Sequence, residues 1–258
     1  MLTIDVINRW YADLYDQEEI QIDDVNFMLS VIGEASKNIL EVCCGSGRIL
    51  VPLAKAGHKV TGFDMDNYML ERISPKAKGL TNINFSKADA INDDWGNNFD
   101  TVVLAGNILI NIISSMNYKE AQKLFIKRSY DALKLNGHIY LDFDCFPHPE
   151  NFFGNSDERI IFEGVDSLGS YGKIIISDGK YEPQTQITTF KRKTEIISKD
   201  GEKIVRESVG AKHIPTLLQV HEWLDQVGFK IVSEYGDYNG NPISETTHRA
   251  IIWAEKNK

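Results

Sequence analysis

The sequence predicts an α/β chain: a mostly parallel sheet with helices on both faces, plus an antiparallel β insertion after the fifth strand. Three observations carry this. Short apolar runs alternate with segments of helical spacing from Asn38 to Phe143. A glycine-rich turn joins the first of those runs to the helix behind it. Between Cys145 and His213 the alternation gives way to successive strands with short polar connections.

Taken in order, Ile4, Ile7, Tyr11, Leu14 and Tyr15 recur at helical spacing, and Phe27, Met28, Val31 and Ile32 mark a second helix. Ile39 to Cys43, bounded by Lys37-Asn38 and by glycines, reads as a buried strand. From Gly47 the spacing turns helical, with Ile49, Leu50, Leu53 and Ala54 on one face and Gly57 at the end. His58 to Asp64 is a second strand, and Asp66 is placed to cap the next helix. Asn82 to Phe85 makes a third strand. Phe99 to Ala105 makes a fourth, almost wholly apolar as a central parallel strand is. Tyr118 to Leu135 predicts a long helix ended by Asn136-Gly137, with a fifth strand over His138 to Phe143. Insertion strands are expected near Ile160–Phe162, Lys173–Ser177, Gln186–Ile197 and Lys203–Val209, and Ser198 to Glu202 is a turn. A helix from Pro215 to Val227 and strands over Phe229–Tyr235 and His248–Glu255 close the chain.

A strand that passes through glycines into a helix leaves backbone N–H groups open to a ligand. The acid ending the second strand, Asp64, lies 17 positions beyond Gly47, where such folds hold a ribose. The glycine spacing is not that of a dinucleotide site. It runs Cys43-x-Gly45-x-Gly47, with Arg48 where a register starting at Gly45 would need its third glycine.

Glu41-Val42-Cys43-Cys44-Gly45-Ser46-Gly47 resembles the first motif of the class I S-adenosylmethionine (SAM)-dependent methyltransferases: an acid, an apolar residue, then G-x-G-x-G. The first glycine of that motif is Cys43 here. The resemblance implies a Rossmann-like sheet, SAM as cofactor and S-adenosylhomocysteine as product. It also implies in-line methyl transfer to a nitrogen or oxygen of a small-molecule acceptor. It puts Glu41 near the methionyl ammonium, Cys43, Gly45 and Gly47 under the ligand, Asp64 on the ribose hydroxyls and Met65 on the adenine face. Asp89 and Ala90 meet the adenine edge. Ala105 and Asn107, at the carboxyl end of the fourth strand, fall near the SAM tail or the acceptor. Tyr11 to Asp16 is similar to the aromatic-x-x-x-Tyr-Asp helix that opens many small-molecule methyltransferases as a lid, so Tyr11 or Tyr15 is expected to line the site. The expected division is a helical lid over 1–36, a SAM-binding domain over 37–145 and 214–258, and an insertion over 146–213 covering the acceptor site.

An amine or hydroxyl acceptor calls for a general base. Of six histidines, His213, ending the last insertion strand, is preferred for that role, with His148 behind it. No metal set is visible: Cys43-Cys44 is too tight for a zinc pair, and no C-x-x-C or H-E-x-x-H occurs.

Composition bounds the partners. A net charge of −9 on 258 residues argues against nucleic acid. The one basic cluster, Lys191-Arg192-Lys193, lies in a nearly balanced segment, 10 Lys/Arg against 11 Asp/Glu over 146–213, and reads as a solvated strand end. No apolar run approaches membrane-spanning length, Met1 to Asp5 has no signal-peptide character, and three cysteines fit a reducing cytoplasm. A monomer and a homodimer are both compatible. Two other functions stand beside the leading one, a non-catalytic SAM-binding module and an NAD-dependent oxidoreductase.

Overall fold

The computed structural model describes residues 3–257. The chain forms two compact units, Gln21–Pro147 with Pro215–Lys258 and Met1–Ile20 with His148–Ile214.

The larger unit carries α2 (Asp23–Ile32), β1 (Asn38–Val42), α3 (Leu50–Lys55), β2 (Lys59–Asp64), α4 (Asn67–Leu70), α5 (Ile73–Lys76) and β3 (Ile83–Lys87). It continues through β4 (Phe99–Leu104), α6 (Ile108–Asn111), α7 (Tyr118–Ala132), β5 (Leu133–Asp144), α9 (Leu217–Val227), β10 (Phe229–Tyr235) and β11 (Arg249–Lys256). The smaller unit holds α1 (Thr3–Glu18), α8 (Pro149–Phe153), β6 (Arg159–Val165), β7 (Tyr171–Glu182), β8 (Ile187–Ile197) and β9 (Lys203–His213).

In the larger unit seven strands lie in the order β3-β2-β1-β4-β5-β11-β10, with β11 antiparallel to both its neighbours. The order reverses between β1 and β4, and open α/β sheets hold ligands beyond the carboxyl ends at such a point. Alternation along β1 explains why both faces are buried. Ile39 joins the apolar layer of α2, α3 and α5 (Val25, Met28, Leu50, Leu53, Ile73), while Leu40 and Val42 join that of α7 and α9 (Phe125, Val220, Trp223, Leu224). Burying each such side chain is worth about 1.5–3 kcal/mol, so the sheet is anchored from both sides.

Of the boundaries that differ from expectation, two have a clear local cause. The helix after the glycine turn starts at Leu50 and not at Gly47, because residues 43–49 are taken up by the turn. The long helix stops at Ala132, and Leu133 turns extended and pairs with Phe99. The Lys256 ammonium bonds the Tyr130 and Leu133 carbonyls at 2.7 Å each, satisfying acceptors that the helix end leaves open.

The smaller unit is a four-stranded antiparallel sheet, β6-β7-β8-β9, and α1 packs on one of its faces. Trp10 is fully buried there, and its Nε1 donates to the Gly164 carbonyl at 3.3 Å. A Cβ on Gly172 would stand 2.5 Å from the Trp10 indole, so this strand accepts the ring only because it carries glycine. Gly172→Ala is expected to cost about 1–3 kcal/mol by overpacking. Chemical denaturation followed by tryptophan fluorescence would measure it, and an unchanged midpoint would remove the contact from the account of this unit.

The two N-terminal helices, expected together as one lid segment over 1–36, therefore part company: α1 belongs with the β insertion and α2 with the seven-stranded sheet. The insertion itself runs from His148 to Ile214. No helix among the described residues is long and apolar enough to cross a membrane.

Candidate active site

The turn after β1 is the centre of the site. Cys43, Gly45 and Gly47 take positive φ values of 57°, 53° and 78°, so every second residue lies in the left-handed region. Glycine adopts this freely, whereas Cys43, where the methyltransferase motif has its first glycine, stores strain of about 1–3 kcal/mol. The turn is closed by Gly47 N–H on the Cys44 carbonyl at 2.9 Å and by Cys44 N–H on the Phe63 carbonyl at 2.9 Å. A Cβ on Gly47 would touch Ile73 at 3.0 Å, but one on Gly45 would meet nothing within 4 Å. Gly45 thus faces the open side of the turn. Burial, reinforced by Asp64 and Glu41, holds the Cys43 thiol far above the ordinary range, so it is no nucleophile at neutral pH.

Asp64 ties β2 to this turn. Its Oδ2 accepts from Gly45 N–H at 2.9 Å and its Oδ1 from Asp66 N–H at 2.8 Å. Burial raises its carboxyl, and these N–H groups oppose the rise. Beside it Met65 is half exposed. Asp89 is bound into its own turn, Oδ1 accepting from Ile91 N–H at 2.8 Å and Oδ2 from Asn92 Nδ2 at 2.7 Å, which together hold it below the usual carboxylate range. The Ala90 carbonyl receives Trp95 Nε1 at 3.0 Å and Arg128 Nη1 at 3.1 Å.

Glu41 is the most unusual group. It lies on the α2 face of β1, 5% exposed, with Oε2 buried and no hydrogen-bond partner. Burial pushes its carboxyl well above the usual range; Arg48 opposes this, while Asp64 and Asp24 add to it. A buried acceptor left without a donor costs about 1–3 kcal/mol, which a ligand with an ammonium group would recover.

Several members of the site were not foreseen. Arg48 grips Asp24 of α2 through two bonds of 2.9 and 2.5 Å and reaches the Gln21 carbonyl at 3.1 Å, fastening the helix to the turn. Asp142, 1% exposed at the end of β5, accepts from Arg249 Nη1 at 2.6 Å and from the Tyr238 hydroxyl at 2.8 Å. Arg249 Nη2 reaches Asp144 at 2.7 Å. The acids at 142 and 144, two apart at the end of the apolar run that starts at Ile139, are the sequence signal that could have announced this network.

Asn107 is bonded to Asp144. Its φ of 63° aims its amide at Asp144, Nδ2 donating to Oδ2 at 2.7 Å and Oδ1 accepting from the backbone N–H at 2.6 Å. The side chain is spent in clamping the end of β4, beyond Ala105, to the end of β5.

Glu41, Cys43, Gly45, Gly47, Asp64, Met65, Asp89, Ala90, Ala105 and Asn107 thus all fall in the larger unit, Tyr11, Tyr15 and His213 in the smaller. The Tyr11 ring lies 5.0 Å from Phe162 and 6.2 Å from Tyr15. His213 is 3% exposed and pairs with Ile187, so its side chain leaves the sheet on the face opposite to its neighbour Lys212. Lys212 lines a cavity of this unit with Phe152, Phe153 and Phe190, and His213 does not.

Residues 39–137 match the methyltransferase domain family. A Geobacillus sp. protein assigned as a methyltransferase is 26% identical over 228 residues, covering 86% of each chain. A SAM-dependent methyltransferase from Clostridium acetobutylicum superposes with a TM-score of 0.74 at 15% identity, over 96% of this chain and 98% of that one. A sugar N-methyltransferase from a Streptoalloteichus species gives 0.69 at 14%, over 95% and 91%. The orphaned Glu41 oxygen and the open face of Gly45 fit a cofactor with an ammonium tail and no pyrophosphate. With the motif, the sheet order and the family match in agreement, residues 39–137 form a methyltransferase domain, and the chain shares the fold of SAM-dependent methyltransferases.

Proposed function

We propose that the enzyme methylates an amine or hydroxyl of a small molecule, and that the unit holding β6–β9 selects it. The observation that carries the reading of the cofactor site is the buried, partnerless Oε2 of Glu41 beside a glycine turn whose other wall is Asp64. Glu41 takes the methionyl ammonium, the N–H groups around Gly45 and Gly47 lie under the ligand, and Asp64 binds the ribose hydroxyls. Met65 covers one adenine face, and Asp89 with the backbone of Ala90 meets its edge. Asn107 acts through Asp144 by holding the β4 and β5 ends in register.

SAM supplies a methyl group already activated on a sulfonium, so the chemistry is an in-line displacement. The chain's own task is to align the acceptor and exclude water. The sugar N-methyltransferase among the similar structures supports a small-molecule acceptor. Arg48 in place of a third glycine speaks against NAD.

Calorimetric titration tests this. SAM and S-adenosylhomocysteine are expected to bind and NAD not to. Asp64→Ala should weaken both adenosyl ligands roughly a hundredfold or more, since it removes the ribose acceptor and frees Gly45 N–H at once. Binding of NAD alone would overturn the reading.

A further inference from the structure

The smaller unit contains a feature the methyltransferase motif does not touch. Strand β8 alternates Thr188, Phe190, Arg192, Thr194 and Ile196 on one face with Thr189, Lys191, Lys193 and Glu195 on the other. Thr194 and Ile196 pair with Ile174 and Gly172, the part of that face on which α1 packs. Farther along the same strand, Phe190, Arg192 and Thr188 line the cavity of about 280 Å³ with Phe152 and Phe153 of α8. The basic triplet is therefore not one solvated strand end. Lys191 pairs with Asp178 at 2.8 Å and Lys193 with Glu195 at 2.7 Å, while Arg192 turns into the cavity.

Three properties of this cavity point to one kind of ligand. Its walls are aromatic, and its size suits a single ring or a short chain. Its charged lining is lopsided, Arg159, Arg192 and Lys212 against Asp157. Among the described residues no carboxylate is ion-paired with Arg192; the groups that act on it are the neutral Tyr11 hydroxyl and the Arg206 guanidinium. A half-buried guanidinium without a counter-anion is a prepared site for a carboxylate or phosphate, which it can grip with two parallel bonds.

The cavity wall is built in. At the β7 bulge, where the register shifts between Ser177 and Lys180, a Cβ on Gly179 would stand 2.3 Å from the Asn155 carbonyl and 2.8 Å from that of Phe153. Glycine there lets the segment after α8 close against the sheet. Arg159 adds a guanidinium 5.3 Å from the Phe152 ring centroid.

We infer that this cavity is a binding site for a small molecule with a flat apolar body and a carboxylate or phosphate gripped by Arg192. This goes beyond the proposed function and does not depend on it. Ligand-observed NMR titration of the full chain with benzoate, phenyl phosphate and neutral benzyl alcohol tests it, SAM affinity being measured separately by calorimetry. The two anions are expected to bind at least tenfold more tightly than the alcohol, and the stronger of them tells carboxylate from phosphate. Arg192→Gln should erase the preference, a loss of roughly tenfold or more for the anions. Arg192→Lys should keep most of it, which separates lost charge from lost folding, and Lys230→Gln, an exposed substitution in the larger unit, should change nothing. Equal binding of alcohol and anions, failure of all three probes, or an anion preference that survives in Arg192→Gln would overturn the inference. Loss of SAM binding with the anion preference intact would sink the methyl-transfer reading alone.

Discussion

Replacing Glu41 with glutamine should weaken SAM and S-adenosylhomocysteine alike by about 1.5–3 kcal/mol, or roughly 10- to 150-fold, because both carry the same methionyl ammonium. The variant keeps the side chain's volume and removes only its charge. The same residue makes binding depend on pH. In the free protein burial raises the Glu41 carboxyl well above the usual range, so as pH falls it is protonated, and neutral, sooner than an exposed acid. An ammonium beside it favours the ionised form and draws its pKa back down. Affinity is therefore full above the free-protein pKa and is lost as pH falls through it, with a proton released on binding between the two values. Titrations in buffers of different ionisation enthalpy would count that proton. A wild type and a Glu41→Gln variant with the same pH profile would dismiss Glu41 as the ammonium's partner.

Arg249→Met should be the most destabilising single change in the larger unit, costing about 3–5 kcal/mol. Arg249 is the cation shared by Asp142 and Asp144. Without it Asp142, 1% exposed, keeps only the Tyr238 hydroxyl. An uncompensated buried carboxylate costs far more than the pair contributes, so Arg249→Met with Asp142→Leu should recover most of the loss. Denaturation midpoints of the two variants measure this. A single variant within about 1 kcal/mol of wild type would mean that solvent reaches Asp142 easily. The damage should extend to function, since Asp144 also holds Asn107 at 2.7 Å and with it the end of β4.

The sequence by itself determined whatever depends on neighbours along the chain. Strand, glycine turn and helix are local events, and an acid 17 residues beyond Gly47 follows from the length of one β-α-β unit. That is why the sheet and the strand–turn–strand unit carrying Glu41, Gly45, Gly47 and Asp64 could be read from the sequence. The antiparallel insertion was readable for the same reason, from period and turn residues. Tertiary structure alone decided what depends on long-range contact. Asn107 follows the fourth strand, and its amide is bonded to Asp144, 37 positions away. The helix of Tyr11 and Tyr15 looked like part of a lid with α2, but Gly164 and Gly172, 150 residues or more on, offer the bare backbone that Leu14 and Trp10 need. Arg192 between two lysines looked like part of a solvated cluster. Strand alternation sends it to the opposite face, and only the fold shows that this face encloses a cavity. Hydrophobic period and turn chemistry are carried by adjacent residues, whereas the partner of a buried polar group is chosen by packing between elements far apart in sequence.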